Sequence, residues 1–192
     1  MQEFRQFINS LYPISNDSWE QFSGLFKIKY LKKGEIFINQ GEFAKEIGFL
    51  RSGVMRGFFR DDNGNEYNKH IFVTPCFIGG YASLITKRPN LIIQEALTDC
   101  EVFVANFNDY ETLFDTYPEI ERVARRLAEI FFVVKEQKEI EIVLLDAEKR
   151  YEIFKKQYPQ IEQLIPQYQI ASYLGITPIQ LSRIRRKSAK SS

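Results

Sequence analysis

The hydrophobic period changes partway along the chain, and that change leaves few folds open. From Lys29 to about Phe107 the sequence runs as short β-type segments between glycines: "GEIFINQGE", "IGFLRSG", "VMRGFFR", "EYNKHIFV", "FIGGY" and "EVFVANF". The "DDNG" between "VMRGFFR" and "EYNKHIFV" predicts a hairpin, because Asn-Gly supplies the positive φ of a tight turn. A series of short strands with closely spaced turns predicts an all-β sandwich or barrel. From Pro118 the period becomes helical. Ile120, Val123, Leu127, Ile130 and Val134 step by threes and fours, with Arg122, Arg125, Arg126, Glu129 and Lys135 off the stripe. The stripe breaks at Gln137 and Glu141. It suits a helix packed on its own barrel and equally a dimer helix, and Phe131 and Phe132 widen the face enough for both. Ahead of the barrel, Phe4, Phe7, Ile8 and Leu11, then "SNDSWEQFSGLF", predict short capped helices within residues 1–28.

Composition narrows the class. With 192 residues, 17 Phe and 10 Tyr, the chain can bury a substantial core, as one large domain or a medium one beside a small one. Disorder is expected only in the last residues, "SAKSS". No apolar run reaches the 18 residues of a membrane span, and "MQEFRQFINSLYPIS" lacks the apolar core of a secretory signal, so a cytoplasmic location is expected. Two cysteines, Cys76 and Cys100, are too few for a disulfide scaffold or an iron–sulfur cluster. From the residues alone a redox pair of the two stays open. His70 is the one histidine, and at a strand position it reads as structural rather than as a haem ligand; no metal site or cofactor is expected. There is no Gly-rich phosphate loop with Lys, no His-Glu-x-x-His and no Gly-x-Ser-x-Gly, so an enzyme is not expected.

Charge is unevenly divided. Residues 147–192 hold nine Lys/Arg and three acids, a net +6, whereas residues 1–146 hold 17 and 22, a net −5. A basic C-terminal end beside an acidic body suits a polyanion partner.

That basic end carries a motif. After "AEKRYEIFKKQYPQIEQLIP", whose first part predicts an amphipathic helix ending at Tyr158-Pro159, comes "QYQIASYLGITPIQLSRIRRK". With Gln167 as its first position, the segment has helix-turn-helix spacing. Ala171 is small where two helices cross closely, Gly175 takes the left-handed turn, and Ile170, Leu174, Ile176, Leu181 and Ile184 lock the pair. Thr177 caps the second helix and Pro178 opens it. Off the packed side lie Gln180, Arg183, Arg186 and Lys187: Gln can read adenine, and Arg guanine or phosphate, in the major groove of double-stranded DNA. Gln167, Gln169, Thr177, Ser182 and Arg185 complete the polar residues assigned to the DNA contact. Ile179, beside Pro178, is an apolar residue where polar ones often meet base edges, and could touch a thymine methyl.

Together, "LKKGEIFINQGEFAKEIGFLRSG" (31–53), "CFIGGYASL" (76–84), "EALTDCEVFV" (95–104) and "IASYLGITPIQLSRIR" (170–185) resemble the Crp/Fnr family of dimeric bacterial transcription regulators, end to end. The resemblance implies an α+β fold in three parts: a double-stranded β-roll sensor domain resembling a cyclic nucleotide-binding domain (1–115), a dimerisation helix (116–146) using Ile120, Val123, Leu127, Ile130 and Val134, and a helix-turn-helix domain (147–192). It implies a homodimer on a near-palindromic DNA site, with RNA polymerase as a further partner for which no segment carries a signature. Cyclic-nucleotide binders of the family hold the ribose with a Glu and the cyclic phosphate with an Arg. Here Gly79-Gly80-Tyr81 and Asn90-Leu91-Ile92 fall at those places, so Gly80 replaces the Glu and Asn90 the Arg. A buried phosphate without a charge-assisted partner costs several kcal/mol, and Lys87 and Arg88 would need a register slip to serve. The expectation is therefore that cyclic AMP and cyclic GMP are not effectors. Phe72, Phe77, Tyr81, Leu91 and Ile92 line or flank the altered pocket, which holds an unidentified small ligand or none. Tyr158 to Pro166 leaves room for little or no β-wing, so phosphate contacts fall to Arg183, Arg185, Arg186, Lys187 and Lys190. The competing reading is a β-roll docking module whose terminal helices bind a protein partner.

Overall fold

The computed structural model describes residues 1–188. Two helices, α1 (Gln2–Leu11) and α2 (Asn16–Gly24), precede eight strands. These are β1 (Lys27–Leu31), β2 (Ile36–Ile38), β3 (Glu46–Ser52), β4 (Val54–Arg60), β5 (Glu66–Val73), β6 (Cys76–Ile78), β7 (Ile93–Ala96) and β8 (Cys100–Asn106), with α3 (Tyr81–Thr86) between β6 and β7. The strands form two antiparallel four-stranded sheets, ordered β1-β8-β3-β6 and β2-β7-β4-β5. Helices follow: α4 (Phe107–Thr116), α5 (Pro118–Leu144), α6 (Ala147–Gln157), α7 (Ile161–Leu164), α8 (Gln167–Leu174) and α9 (Pro178–Ser188). The fold is the expected α+β arrangement, and among the described residues no strand follows β8, so the C-terminal helices carry no β-wing.

The sheets enclose one apolar layer, built from Leu31, Leu50, Met55, Phe72, Ile78, Ala96, Val102 and Val104. Their outer faces are covered too. On the β1-β8-β3-β6 sheet, Phe49, Phe77 and Phe103 meet Phe4, Ile8 and Phe22 of the N-terminal helices. On the other sheet, Val54, Ile71 and Leu97 meet Tyr151, Phe154 and Ile170 of the C-terminal helices. Burial on both faces is why "IGFL" and "VMRGFF" read as near-continuous apolar runs rather than alternating ones. The β4–β5 turn has Gly64 at φ +83°, and the Asp61 carboxylate accepts the backbone N–H groups of Asn63 and Asn65 at 2.9 and 2.8 Å.

The long helix departs from the expected seam. Ile120 and Val123 are 1% and 2% exposed and belong to the core with Phe4, Ile8 and Phe22, and Leu127 packs on that core. Val134 is half-buried, and of the five only Ile130 is well exposed. The apolar residues α5 leaves open are Ile130, Val133, Ile140 and Leu144, with Gln137 filling the gap in their three-four spacing, and beside them Phe131, Phe132, Ile142 and Val143. At 100° per residue this stripe lies roughly a quarter turn from the expected one. The first stripe was an intrachain contact because α1 and α2 lie against the start of α5, where Glu119 accepts the Ser15 N–H at 3.0 Å.

Candidate nucleic-acid interface and effector pocket

The C-terminal helix pair is assembled as its residue types require. Ile170, Ala171, Leu174 and Leu181 are buried with Tyr151 and Phe154 of α6, Ile161 of α7 and Ile165 just after it, and Ile176 and Ile184 pack against them. Gly175 ends α8 at φ +68°, ψ +35°, a left-handed conformation that glycine adopts without a Cβ penalty. Thr177 and Gln180 cap each other: the Gln180 N–H donates to Thr177 Oγ1 at 3.2 Å, and the Thr177 N–H donates to Gln180 Oε1 at 2.9 Å. Arg150 of α6, which sequence reasoning did not single out, donates to the Leu174 carbonyl at 3.2 Å, satisfying an orphan acceptor at the end of α8.

The exposed face of α9 carries Ile179, Gln180, Ser182, Arg183 and Arg186. Arg183 and Arg186 have no ion pair among the described residues. Arg185 is instead half-buried and pairs with Glu162 of α7 at 3.2 Å, and Lys187 pairs with Glu148 of α6 at 2.7 Å. The basic cluster thus divides between two residues facing solvent and two that also fasten α9 to its own domain. Gln167 at the start of α8 is exposed, and Thr177 is an exposed cap. Lys190 lies outside the described residues.

Gln169 departs from its expected place. It is 3% exposed, and its Oε1 accepts from Arg56 Nη1 at 3.1 Å and from Asn68 Nδ2 at 2.6 Å, both on the β-roll. The polar side chain at the third position of the motif is spent inside the protein. No local pattern could have announced this, since the partners lie more than 100 residues away on outward strand positions.

Where the resemblance puts the cassette, the protein's own groups surround Gly80 and Asn90 closely. A Cβ on Gly80 would stand 3.0 Å from Asn90 Oδ1, 3.0 Å from Ile38 Cδ1 and 3.1 Å from Ala44 Cβ, so a longer side chain there must displace all three. Asn90, 4% exposed, donates from Nδ2 to the carbonyls of Asn39 at 3.0 Å and Ile92 at 2.7 Å. Its own N–H donates to the Glu42 carbonyl at 2.7 Å, and its carbonyl accepts the Gly41 N–H at 2.8 Å. Buried Gln94, which sequence reasoning also missed, brackets Gly79: Nε2 donates to the Gly79 carbonyl at 2.8 Å and Oε1 accepts the Gly79 N–H at 3.0 Å. The polar backbone is therefore satisfied by the protein itself.

The aromatic and aliphatic residues assigned to the pocket are not brought together. Phe72 and Ile92 meet above Gly57 inside the β-roll, within 3.2 and 3.3 Å of where its Cβ would be. Phe77, by contrast, packs on the outer face of the other sheet, with ring centroids 6.0 Å from both Phe4 and Phe7, because its strand position points it at α1. Tyr81 and Leu91 are 53% and 64% exposed. Lys87 and Arg88 are exposed as well, with Lys87 Nζ 5.7 Å from the Phe107 ring centroid, so neither supplies a cation to the interior. Burial raises the pKa of both thiols, Cys76 to about 12 with Cys100 adding to the effect, which keeps them protonated.

Residues 28–117 match the cyclic nucleotide-binding domain family. No curated protein sequence is detectably similar to the chain. Among solved structures, the chain is similar to FixK2 from Bradyrhizobium japonicum, with a TM-score of 0.78 at 14% identity over 86% of this chain and 85% of that one. It is similar to the c-di-GMP responsive global regulator CLP of Xanthomonas campestris, with a TM-score of 0.71 at 16% identity over 92% and 93% of the two chains. It is also similar to a putative transcriptional regulator of the Crp/Fnr family from Eubacterium rectale, with a TM-score of 0.71 at 17% identity over 95% and 88%. Residues 28–117 thus resemble a cyclic nucleotide-binding domain, and the chain shares the fold of these solved regulators through its terminal helix pair.

Proposed function

We propose that the protein is a homodimeric DNA-binding transcription regulator whose β-roll does not use cyclic AMP or cyclic GMP. The observation that carries the reading is the helix pair itself: a glycine-turned, mutually capped α8–α9 unit presenting Gln180, Ser182, Arg183 and Arg186 on one open face. A recognition helix inserted in the major groove needs that combination of a locked angle and a polar, cationic outer side. Arg183 and Arg186 would contact phosphate or guanine, Gln180 and Ser182 base edges, and the positive end of α8 beside Gln167 a phosphate.

The dimer is supported by α5. Ile130, Val133, Ile140 and Leu144, joined by Phe132 and Val143, leave apolar side chains exposed along its second half, and contiguous exposed apolar surface of this kind marks an interaction site. A second copy covers it symmetrically and sets two recognition helices on one side, one DNA turn apart. The three functional parts follow as the β-roll with its flanking helices (1–115), the connecting helix (116–146) and the reader (147–192).

The closed cassette supports the loss of nucleotide binding. Gly80 has no room for the ribose-holding carboxylate, Asn90 is bound to backbone, and Gln94 occupies the Gly79 amide. Calorimetric titration with cyclic AMP and cyclic GMP tests this part. Duplex retention at low salt, with light scattering to give the stoichiometry, tests the rest. A monomer that remains one on DNA would overturn the dimer, and a co-purifying protein partner with no DNA retention would favour the docking-module alternative.

A further inference from the structure

The C-terminal helices enclose a polar cleft on the flank of α9 that faces α7. It lies between α6, α7 and α9, has a volume of about 340 Å³, and is lined by Lys155, Tyr158, Gln160, Glu162, Gln163 and Arg185. That volume falls at the lower end of the range small-molecule sites occupy, about 300–1,000 Å³. At 100° per residue, Arg185 sits about 160° around α9 from Arg183 and about 100° from Arg186. The cleft is therefore separate from the open cationic face.

Two cations from different helices share it with one carboxylate. Lys155 of α6 and Arg185 of α9 are both half-buried, and Glu162 of α7 is the one acid among the lining residues. That carboxylate is divided: its Oε1 accepts the Tyr151 hydroxyl at 2.8 Å and stands 3.2 Å from Arg185 Nε. Tyr151 is 3% exposed, and burial, then Glu162, push its pKa up to about 12, so the hydroxyl keeps its proton and its hold on Glu162. Lys155 makes no ion pair among the described residues. Its Nζ donates to Ser188 Oγ at 2.9 Å and lies 4.9 Å from the Tyr151 ring centroid. Gln160 and Gln163 add neutral carboxamide donors at the rim. Gln160 holds φ +69°, a left-handed conformation that residues with a side chain seldom adopt. Backbone of that kind gathers at binding sites.

This lining suits an oxyanion. Its charged residues sum to +1, two cations less Glu162. The Arg185 guanidinium has N–H donors beyond the one spent on Glu162, and the Lys155 ammonium has donors beyond the one given to Ser188. A tetrahedral phosphate accepts from all these directions at once, and charge-assisted bonds from Arg and Lys are the strong ones. A duplex seated on the open face of α9 leaves this flank unfilled, so the phosphate is that of a small molecule. We propose that the cleft between α6, α7 and α9 binds a small phosphate-bearing ligand, held by Lys155 and Arg185 with Gln160 and Gln163 donating to its oxygens.

Calorimetric titration of the full chain with inorganic phosphate, against chloride at equal ionic strength, tests this without DNA. Saturable one-to-one binding is expected. Lys155→Gln should weaken it about tenfold, the loss of one hydrogen bond from a charged group, and Lys155→Arg should retain it. Glu162→Gln should tighten it, because Arg185 is then released to the anion; a carboxylate that only braces the helices would not give that sign. Thermal melts check that each variant folds. Phosphate that binds no better than chloride, or equally well to a folded Lys155→Gln, overturns the site. Duplex titrations with and without saturating phosphate, at fixed ionic strength, identify the source of the phosphate. Unchanged duplex affinity supports a separate small-molecule site. Competition, with a salt slope shallower by about one in Lys155→Gln, would assign the cleft to the DNA backbone and overturn the proposal. Saturable phosphate binding by a chain that retains no duplex would support the site while removing the DNA-binding reading.

Discussion

Gln94 and Glu95 are neighbours on β7 and hold opposite faces of the sheet: Gln94 brackets the Gly79 amide inside the β-roll, and Glu95 accepts from Arg56 outside it. Successive strand residues point to opposite faces, so one peptide links the cassette to the contact with α8. Gln94→Leu strips both partners from Gly79 and touches no atom of the outer contact. It should cost about 2 kcal/mol, the usual range for buried polar groups left unsatisfied, and should also quicken deuterium uptake in α8. Denaturant melts and exchange mass spectrometry check the two effects separately.

The reader's basic residues should separate by role. Arg183→Ala and Arg186→Ala should each weaken binding to any duplex and reduce the salt slope by about one. Arg185→Ala removes the partner of Glu162 and should lower stability of the C-terminal helices more than it changes the slope. Anisotropy titrations across a salt series give the slopes, and thermal melts give the stabilities.

The cap between Thr177 and Gln180 should be measurable as a pair. Thr177→Ala should destabilise by about 1 kcal/mol. Because each side chain serves the other residue's backbone N–H, Gln180→Ala should add less in the double variant than alone. A double-mutant cycle by chemical denaturation reads the coupling.

His70 gives a sign to pH dependence. Burial, then Lys138 of α5 and Lys69 on its own strand, lower its pKa from 6.5 to about 4. The unfolded chain therefore takes up a proton that the folded chain refuses between those values. Stability should be full above pH 6.5, fall as pH drops towards 4 and level below it, with a loss of up to about 3 kcal/mol at 1.36 kcal/mol per pH unit. Urea melts between pH 7 and 4 should show this slope, and His70→Gln should flatten it.

The period switch, the hairpin at "DDNG" and the Ala171–Gly175–Thr177 signals were legible because each is set by local chemistry: a turn needing positive φ, a close helix crossing, an orphan N–H. The absence of charge at Gly80 and Asn90 can be read from the sequence, but not the internal bonds around them, because Gln94 is an ordinary strand residue until Gly79 is placed beside it. Ile120 and Val123 showed that they are covered but not by what. Their periodicity is the same for an intrachain core and for a partner helix, and only the placement of α1 and α2 decides between them. Phe77 and Gln169 were misplaced for a related reason: which face of a strand or helix meets a neighbour depends on tertiary packing.

Those corrected faces predict different outcomes on α5. Ile120→Ala should destabilise the monomer by about 2–5 kcal/mol as a buried large-to-small change. Val133→Glu with Ile140→Glu, both at exposed positions, should leave the fold intact and shift the mass to that of one chain. Light scattering beside a thermal melt separates them.

The most direct measurement is the affinity of the purified chain for a mixed-sequence duplex from low to high salt, run beside the Arg183→Ala, Arg186→Ala double variant. A DNA-binding regulator predicts retention at low salt that falls linearly in a log–log plot, with the variant weaker and its slope shallower by about two. No retention at low salt, or retention indifferent to both arginines, would contradict a reader built on α9.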